Sequence, residues 1–167
     1  MGAKGTRATD ELRRAGIPHR LHEYASAERH GEERDERPAY GLDAAAALGV
    51  EPGRIYKTLV AAVDDRLVVA IVPVDRQLDL KALADAVRGR RATMADPATA
   101  ERATGYVVGG ISPIGQRRRL PTVLDEGASA FDAVFVSAGR RGLQIELAPA
   151  DLATATGAVI APIAREG

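Results

Sequence analysis

Two almost wholly apolar runs lie back to back near the middle of the chain, IYKTLVAAV at 55–63 and LVVAIV at 67–72, separated only by Asp64-Asp65-Arg66. A short polar connection between two such runs signals a β-hairpin. Because both strands are apolar along most of their length, the pair is expected at the centre of a sheet. Alternation puts Tyr56, Thr58, Val60 and Ala62 on one face and Lys57, Leu59, Ala61 and Val63 on the other. Lys57 is thereby an ammonium in an apolar strand. Either it snorkels out from the strand end, or it points at an anionic or carbonyl-bearing ligand.

Shorter elements flank the hairpin. A helix is expected over 6–15, or a shorter one capped by Thr9 with Leu12 and Ala15 inward, ended by Gly16. Residues 19–24, HRLHEY, read as an edge strand, and 42–48 as an alanine-rich helix stopped by Gly49. Asp79 caps a helix with an apolar stripe of Leu80, Leu83, Ala84 and Val87. Asp96-Pro97 opens another helix, running to about Thr104. Strands are expected at 120–125, 133–136, 143–147 and 158–163, with a turn at 127–130 and a short helix from Pro149 to Thr156. In 143–147 the alternation directs Leu143, Ile145 and Leu147 inward and Gln144 and Glu146 outward. The charged run 28–37, with His30 inside it, reads as a solvated loop or exposed helix. Without linker, repeat or low-complexity tail, residues 1–167 are expected to form one mixed α/β domain lacking a regular βαβ rhythm.

The stretch 105–119, GYVVGGISPIGQRRR, begins as a short strand at 106–108 and breaks at Gly109-Gly110. Glycine permits positive φ and close approach of a partner, and Pro113 fixes its own φ. This is a shaped loop suited to gripping a small group, or a tight turn beside a solvated basic edge. Arg117, Arg118 and Arg119 form a compact basic run able to accept phosphates.

Composition narrows the chemistry. With no Cys in the chain there is no disulfide, thiolate metal site or thiol nucleophile. His19 and His22 lie three apart with no clear third ligand, so no metal is expected. Formal net charge is zero, which does not indicate a broad grip on nucleic acid and makes DNA an unexpected partner. No apolar run has membrane-spanning length and the N-terminus lacks an apolar signal core, so a cytoplasmic location away from membranes is expected. Dinucleotide-binding, P-loop, zincin and nucleophile-elbow patterns are all missing. What remains is one strand lysine, a few hydroxyls and glycine-rich backbone. That set suits orientation and stabilisation of a carbonyl more than base-driven attack.

Three segments, YKTLV at 56–60, GYVVGGISPIGQRR at 105–118 and FVSAGRRGLQIELAPADL at 135–152, resemble the YbaK/EbsC family of aminoacyl-tRNA deacylases in order and spacing. The similarity is closest to the bacterial Cys-tRNA(Pro) deacylases and runs from about Thr6 to Ile163. It implies the fold shared with the prolyl-tRNA synthetase editing domain, a mixed barrel-like β-sheet with surrounding helices. It implies removal of a mischarged amino acid from the tRNA 3′ end, without a cofactor, and prolyl-tRNA synthetase as a partner. In cysteine-specific members the substrate thiol attacks its own carbonyl; relatives act on Ala-tRNA(Pro) through water or a ribose hydroxyl. A non-catalytic module that binds an acceptor end or a synthetase is the alternative to an enzyme. By the resemblance, Lys57, Thr58, Gly109, Gly110 and Ser137 are the catalytic orienters, and Tyr24, Tyr40, Ile111, Ser112, Pro113, Gly139, Gly142 and Gln144 contact substrate. Tyr40 stands where phenylalanine is frequent, and Gln144 where some relatives carry aspartate.

Overall fold

The apolar runs form the hairpin expected of them. The computed structural model describes residues 5–25 and 39–166, apart from the side chains of Ala39 and Tyr40. The expectations for 28–37, His30 and the Tyr40 side chain lie outside the described residues. Strands β2 (Tyr56–Val63) and β3 (Arg66–Pro73) pair antiparallel along their whole length, from Tyr56 opposite Pro73 to Val63 opposite Arg66. They are the second and third strands of a five-stranded sheet. Strand β5 (Ala92–Met94) lies antiparallel to β2 at one edge, and β6 (Thr122–Asp125) and β9 (Val159–Ala161) add parallel beyond β3.

A second sheet of three antiparallel strands places β8 (Leu143–Leu147) between β1 (Arg20–Glu23) and β7 (Val134–Ser137). Residues 19–24 thus supply the predicted edge strand. Strands β4 (Gln77–Leu78) and β10 (Ala164–Arg165) form a separate pair. A parallel bridge between Ile55 and Phe135 joins the two larger sheets. The α/β class and mixed sheet match expectation, but the barrel-like closure does not appear. Among the described residues the strands fall into three open sheets.

Both faces of the hairpin are covered, as its apolar character demands. On one face Ala61, Val63, Val68, Ala70 and Val72 pack with Leu83, Ala84 and Ile163, the first two of these from α3 (Leu80–Ala86). On the other, Tyr56, Val69 and Ile71 meet Leu12 of α1 (Arg7–Ala15), Leu152 of α5 (Pro149–Thr156) and the inward side chains of β7 and β8. The remaining helices are α2 (Ala39–Leu48) and α4 (Pro97–Thr104).

Several details differ from the sequence expectation. Thr6, not Thr9, caps α1: its hydroxyl accepts the Thr9 N–H while the Thr9 hydroxyl accepts the Thr6 N–H, a reciprocal capping box. Ala15 is exposed rather than inward. No strand forms at 106–108, because nearby side chains capture the backbone donors. The Tyr106 N–H donates to the Thr104 hydroxyl and the Val108 N–H to the Glu101 carboxylate at 2.8 Å. The turn at 127–130 is part of a 3-10 helix, Glu126–Ala130. The closing strand expected at 158–163 forms only as β9 and stops before Pro162, which has no N–H to give a ladder, and β10 follows beyond the expected end.

Beyond that break one buried carboxylate takes over. Asp125 Oδ1 accepts the N–H groups of Ile163 and Ala164, each at 3.0 Å, and Oδ2 accepts the Gly127 N–H at 3.0 Å. The side chain thus replaces sheet hydrogen bonds at the C-terminal edge. Asp125→Ala strands these donors, and a loss of about 3 kcal/mol is expected from unsatisfied buried amides. Urea unfolding checks this as a lowered midpoint; an unchanged midpoint would show that water replaces the carboxylate.

Candidate active site

The N-terminal half of β2 forms the floor of a cavity of about 350 Å³. Val108, Gly109 and Ile111 line one wall, and Tyr24, Ser137 and Gln144 another. Met94, Ala95, Pro97 and Ala100 contribute from β5 and the start of α4, and Gly41 and Val74 complete the lining. The walls are largely apolar. Among the described residues no carboxylate, imidazole or thiol lines the cavity.

Several of its polar groups lack a partner among the described residues. The Thr58 hydroxyl and Gln144 Oε1 are buried without a hydrogen bond. Lys57 is half-buried and makes no hydrogen bond or ion pair among the described residues. Burial pulls its ammonium below the usual lysine range, while the Asp75 carboxylate pulls the other way. Buried polar atoms are normally satisfied, so this group of three is a ready set of contacts for a ligand. Gln144 corrects the outward assignment. It belongs to the central strand of its sheet, and the face that alternation assigned to solvent closes the cavity instead. A third buried atom without a partner, the Tyr56 hydroxyl, belongs to a more acidic environment. Burial first, then Asp125 and Asp75, push that phenol up, with Arg76 opposing.

The glycine loop is held from below. The Tyr106 hydroxyl donates to Ile114 O at 2.6 Å, and burial pushes this phenol up to about 12. The Arg7 guanidinium lies over the Tyr106 ring and donates to Gly115 O at 2.9 Å. Gly109 has φ of 95°, a conformation that requires glycine. Gly110 N–H is already bonded to Val107 O at 2.9 Å, which removes it as an oxyanion donor. Gly110 is needed for closeness instead: a Cβ there would stand 2.8 Å from Arg140 Cα.

Of the residues expected to act, Tyr24, Lys57, Thr58, Gly109, Ile111, Ser137 and Gln144 meet at the cavity. Gly110, Ser112, Pro113, Gly139 and Gly142 do not line it. Ser112 is fully buried and accepts the Ile114 N–H, a purely local bond. A Cβ on Gly139 would lie 2.8 Å from the Tyr106 ring, and one on Gly142 3.0 Å from Tyr24 O, so both glycines shape the β7–β8 turn. Ser137 Oγ accepts the Gly139 N–H, leaving its own proton available.

Arg117, Arg118 and Arg119 are not among the cavity's lining residues. The first two bond through their amides to Thr104 O and Ala103 O at the C-terminal end of α4, whereas the cavity touches Pro97 and Ala100 nearer its N-terminus. Pro113, Arg118 and Arg119 line a second, much smaller cavity. His19 and His22 bond Ile17 O and Glu146 respectively, away from the cavity lining. Sequence reasoning missed Met94, Ala95, Pro97 and Ala100, although the Asp96-Pro97 cap marked where α4 begins. It also missed Glu101, for which no sequence signal existed.

Fold and cavity together define a small α/β domain whose cavity is lined by strand side chains and glycine-rich backbone. Comparison with known proteins makes the class specific. The pattern of the aminoacyl-tRNA editing domain matches residues 38–155. A protein of Enterococcus faecalis, provisionally named the Cys-tRNA(Pro)/Cys-tRNA(Cys) deacylase EbsC, is 40% identical over 148 residues, covering 88% of this chain and 85% of that one. The multifunctional Ser/Thr-tRNA deacylase ProXp-y of Escherichia coli is 34% identical over 108 residues, 62% of this chain and 65% of its own. The crystal structure of a protein provisionally described as a trans-editing enzyme for prolyl tRNA synthetase superposes with a TM-score of 0.81 at 26% identity, covering 95% of both chains. The chain belongs to the aminoacyl-tRNA editing family, among the YbaK/EbsC-like trans-editing deacylases that cleave aminoacyl-tRNA esters.

Two outcomes are expected at the cavity. Because the folded-state pKa of Lys57 lies below its ordinary 10.5, the unfolded chain holds more protons between those two values, and stability rises with pH across that window. Lys57→Met should therefore raise the urea midpoint at neutral pH, with the gain shrinking as pH approaches 10.5. A gain independent of pH would mean that the ammonium is not the source. Gln144→Met, of similar shape, should leave stability equal or higher while lowering substrate affinity, because the removed acceptor has no partner within the protein. Thermal melts and KM measured together check this.

Proposed function

We propose that this chain removes cysteine from mischarged Cys-tRNA(Pro), with Cys-tRNA(Cys) as a related substrate, in a reaction driven by the substrate's own thiol. The observation that carries the reading is the unpartnered set Lys57, Thr58 and Gln144 in a cavity whose described lining offers no carboxylate, imidazole or thiol. Such a site is equipped to hold and orient an ester rather than to attack it. EbsC, similar over most of both chains, is named for the same substrates.

The step needs no external reagent until the end. The cysteine sulfur forms a bond to its own ester carbonyl and the carbonyl–ribose bond breaks. The thiol proton ends on the departing ribose oxygen, and water opens the resulting cyclic thioester to cysteine. Holding thiol and carbonyl together supplies the effective concentration that a bimolecular attack lacks. Lys57 faces the developing oxyanion, Thr58 and Ser137 orient the ester, and Gly109 allows the loop backbone to approach the carbonyl. Tyr24, Ile111 and Gln144 bound the aminoacyl group.

The substrate partner is the acceptor end of tRNA. Prolyl-tRNA synthetase is a candidate second partner, consistent with the trans-editing description of the similar crystal structure. Among the described residues no helix is long and apolar enough to cross a membrane. A second reading, a hydroxyl-bearing amino acid, is favoured by the unpartnered Gln144 acceptor and by the name of the E. coli relative.

Single-turnover rates on saturating Cys-, Ser- and Ala-tRNA(Pro) separate these readings. Cys-tRNA is expected to react at least about 100-fold faster than Ser-tRNA, since only sulfur supplies the internal nucleophile. Lys57→Ala should lose most of the rate while remaining folded. Faster cleavage of Ser-tRNA supports the second reading. Equal rates, or solvent oxygen in the first-formed product, would replace thiol attack by activated water. Binding without cleavage of any charged tRNA would make the domain a recognition module.

A further inference from the structure

The cavity accounts for the aminoacyl group, but an intact tRNA also brings phosphodiesters to its mouth. Arg117, Arg118 and Arg119 do not line it. A different basic pair is built onto its rim. The turn joining β7 to β8 runs through Gly139, Arg140, Arg141 and Gly142, with both glycines at positive φ, 113° and 86°. The strands entering and leaving this turn supply two cavity residues, Ser137 and Gln144.

Three contacts fix the pair beside the opening. The Arg140 backbone presses against Gly110, next to the wall residues Gly109 and Ile111. The Arg140 guanidinium pairs at 3.3 Å with Glu23, which adjoins the wall residue Tyr24. Arg141 donates to Val108 O, another wall residue, at 3.5 Å. Both arginines are exposed. The Arg140–Glu23 pair is solvent-exposed on both sides, 44% and 57%, so it is weakly held and can yield Arg140 to a stronger anion.

We infer that Arg140 and Arg141 grip the phosphodiester backbone of the tRNA acceptor end as the esterified ribose enters the cavity. This rests on the deacylase reading above. The phosphate nearest the ester is separated from it by a single ribose, so a backbone contact must come from the rim and not from the floor. Arginine forks suit phosphate oxygens, and in a chain of zero net charge such local pairs carry the electrostatic attraction.

The test uses the full chain and the variant Arg140→Ala/Arg141→Ala. Affinity for an uncharged tRNA minihelix is measured as a function of salt. The variant should bind at least about tenfold more weakly at low salt, and its log–log salt slope should fall by about 0.7 for each single-strand phosphate it no longer neutralises. Deacylation is then compared on aminoacyl-tRNA and on aminoacyl-adenosine, which carries the ester but no phosphate. The variant should show a raised KM on the first and change less than about twofold on the second. An unchanged salt slope, equal losses on both esters, or a larger loss from replacing Arg117, Arg118 and Arg119 would overturn the assignment. Arginine-dependent minihelix binding by a wild-type protein that cleaves no ester would remove the deacylase reading and leave the phosphate grip standing.

Discussion

Everything in this domain leans on the pairing of β2 with β3. The eight-residue register is continuous, and apolar layers bury both of its faces. A one-residue slip would exchange the two layers and place Lys57 on the face that packs against the β7–β8 sheet. The register therefore fixes the core and the face that carries the Lys57 ammonium together. Lys57 and Thr58 sit near the start of β2, where the strand leaves the doubly covered region and becomes the cavity floor. Cavity lining and core packing occupy successive parts of one strand.

The electrostatics follow from that placement. A half-buried ammonium that shares a cavity lining with an unsatisfied hydroxyl and an unsatisfied amide oxygen carries a desolvation cost. Asp75 offsets part of the cost without forming an ion pair, and Lys57 stands among the cavity's lining residues. Asp125, by contrast, is fully engaged with backbone amides and holds the C-terminal edge. The same kinds of charged side chain serve opposite ends here. One is tied down to complete the fold, and the other lines the cavity without an ion pair among the described residues.

The hairpin, the capped helices and the edge strand were legible because periodicity and caps are local signals. Part of the cavity lining was legible through Lys57, Thr58, Gly109 and Ser137, whose setting in strand and glycine turn is itself a sequence pattern. Gln144 was misread because alternation identifies two faces but not what covers them; in β8 both are covered. The supposed strand at 106–108 failed for a related reason. Glu101 and Thr104 reach the backbone donors from the preceding helix, and that competition depends on three-dimensional proximity. Arg117, Arg118 and Arg119 adjoin the glycine loop in sequence, yet the amides of the first two cap the end of α4 that the cavity does not touch.

The Tyr106 ring has a consequence for how a ligand is received. Its edge abuts Gly139 of one turn, its hydroxyl is fixed on Ile114 of the other, and Arg7 covers its face. The loop that lines the cavity and the turn that frames its rim are thereby clamped onto a single aromatic plate. These two segments therefore have little chain entropy left to surrender when a ligand is received.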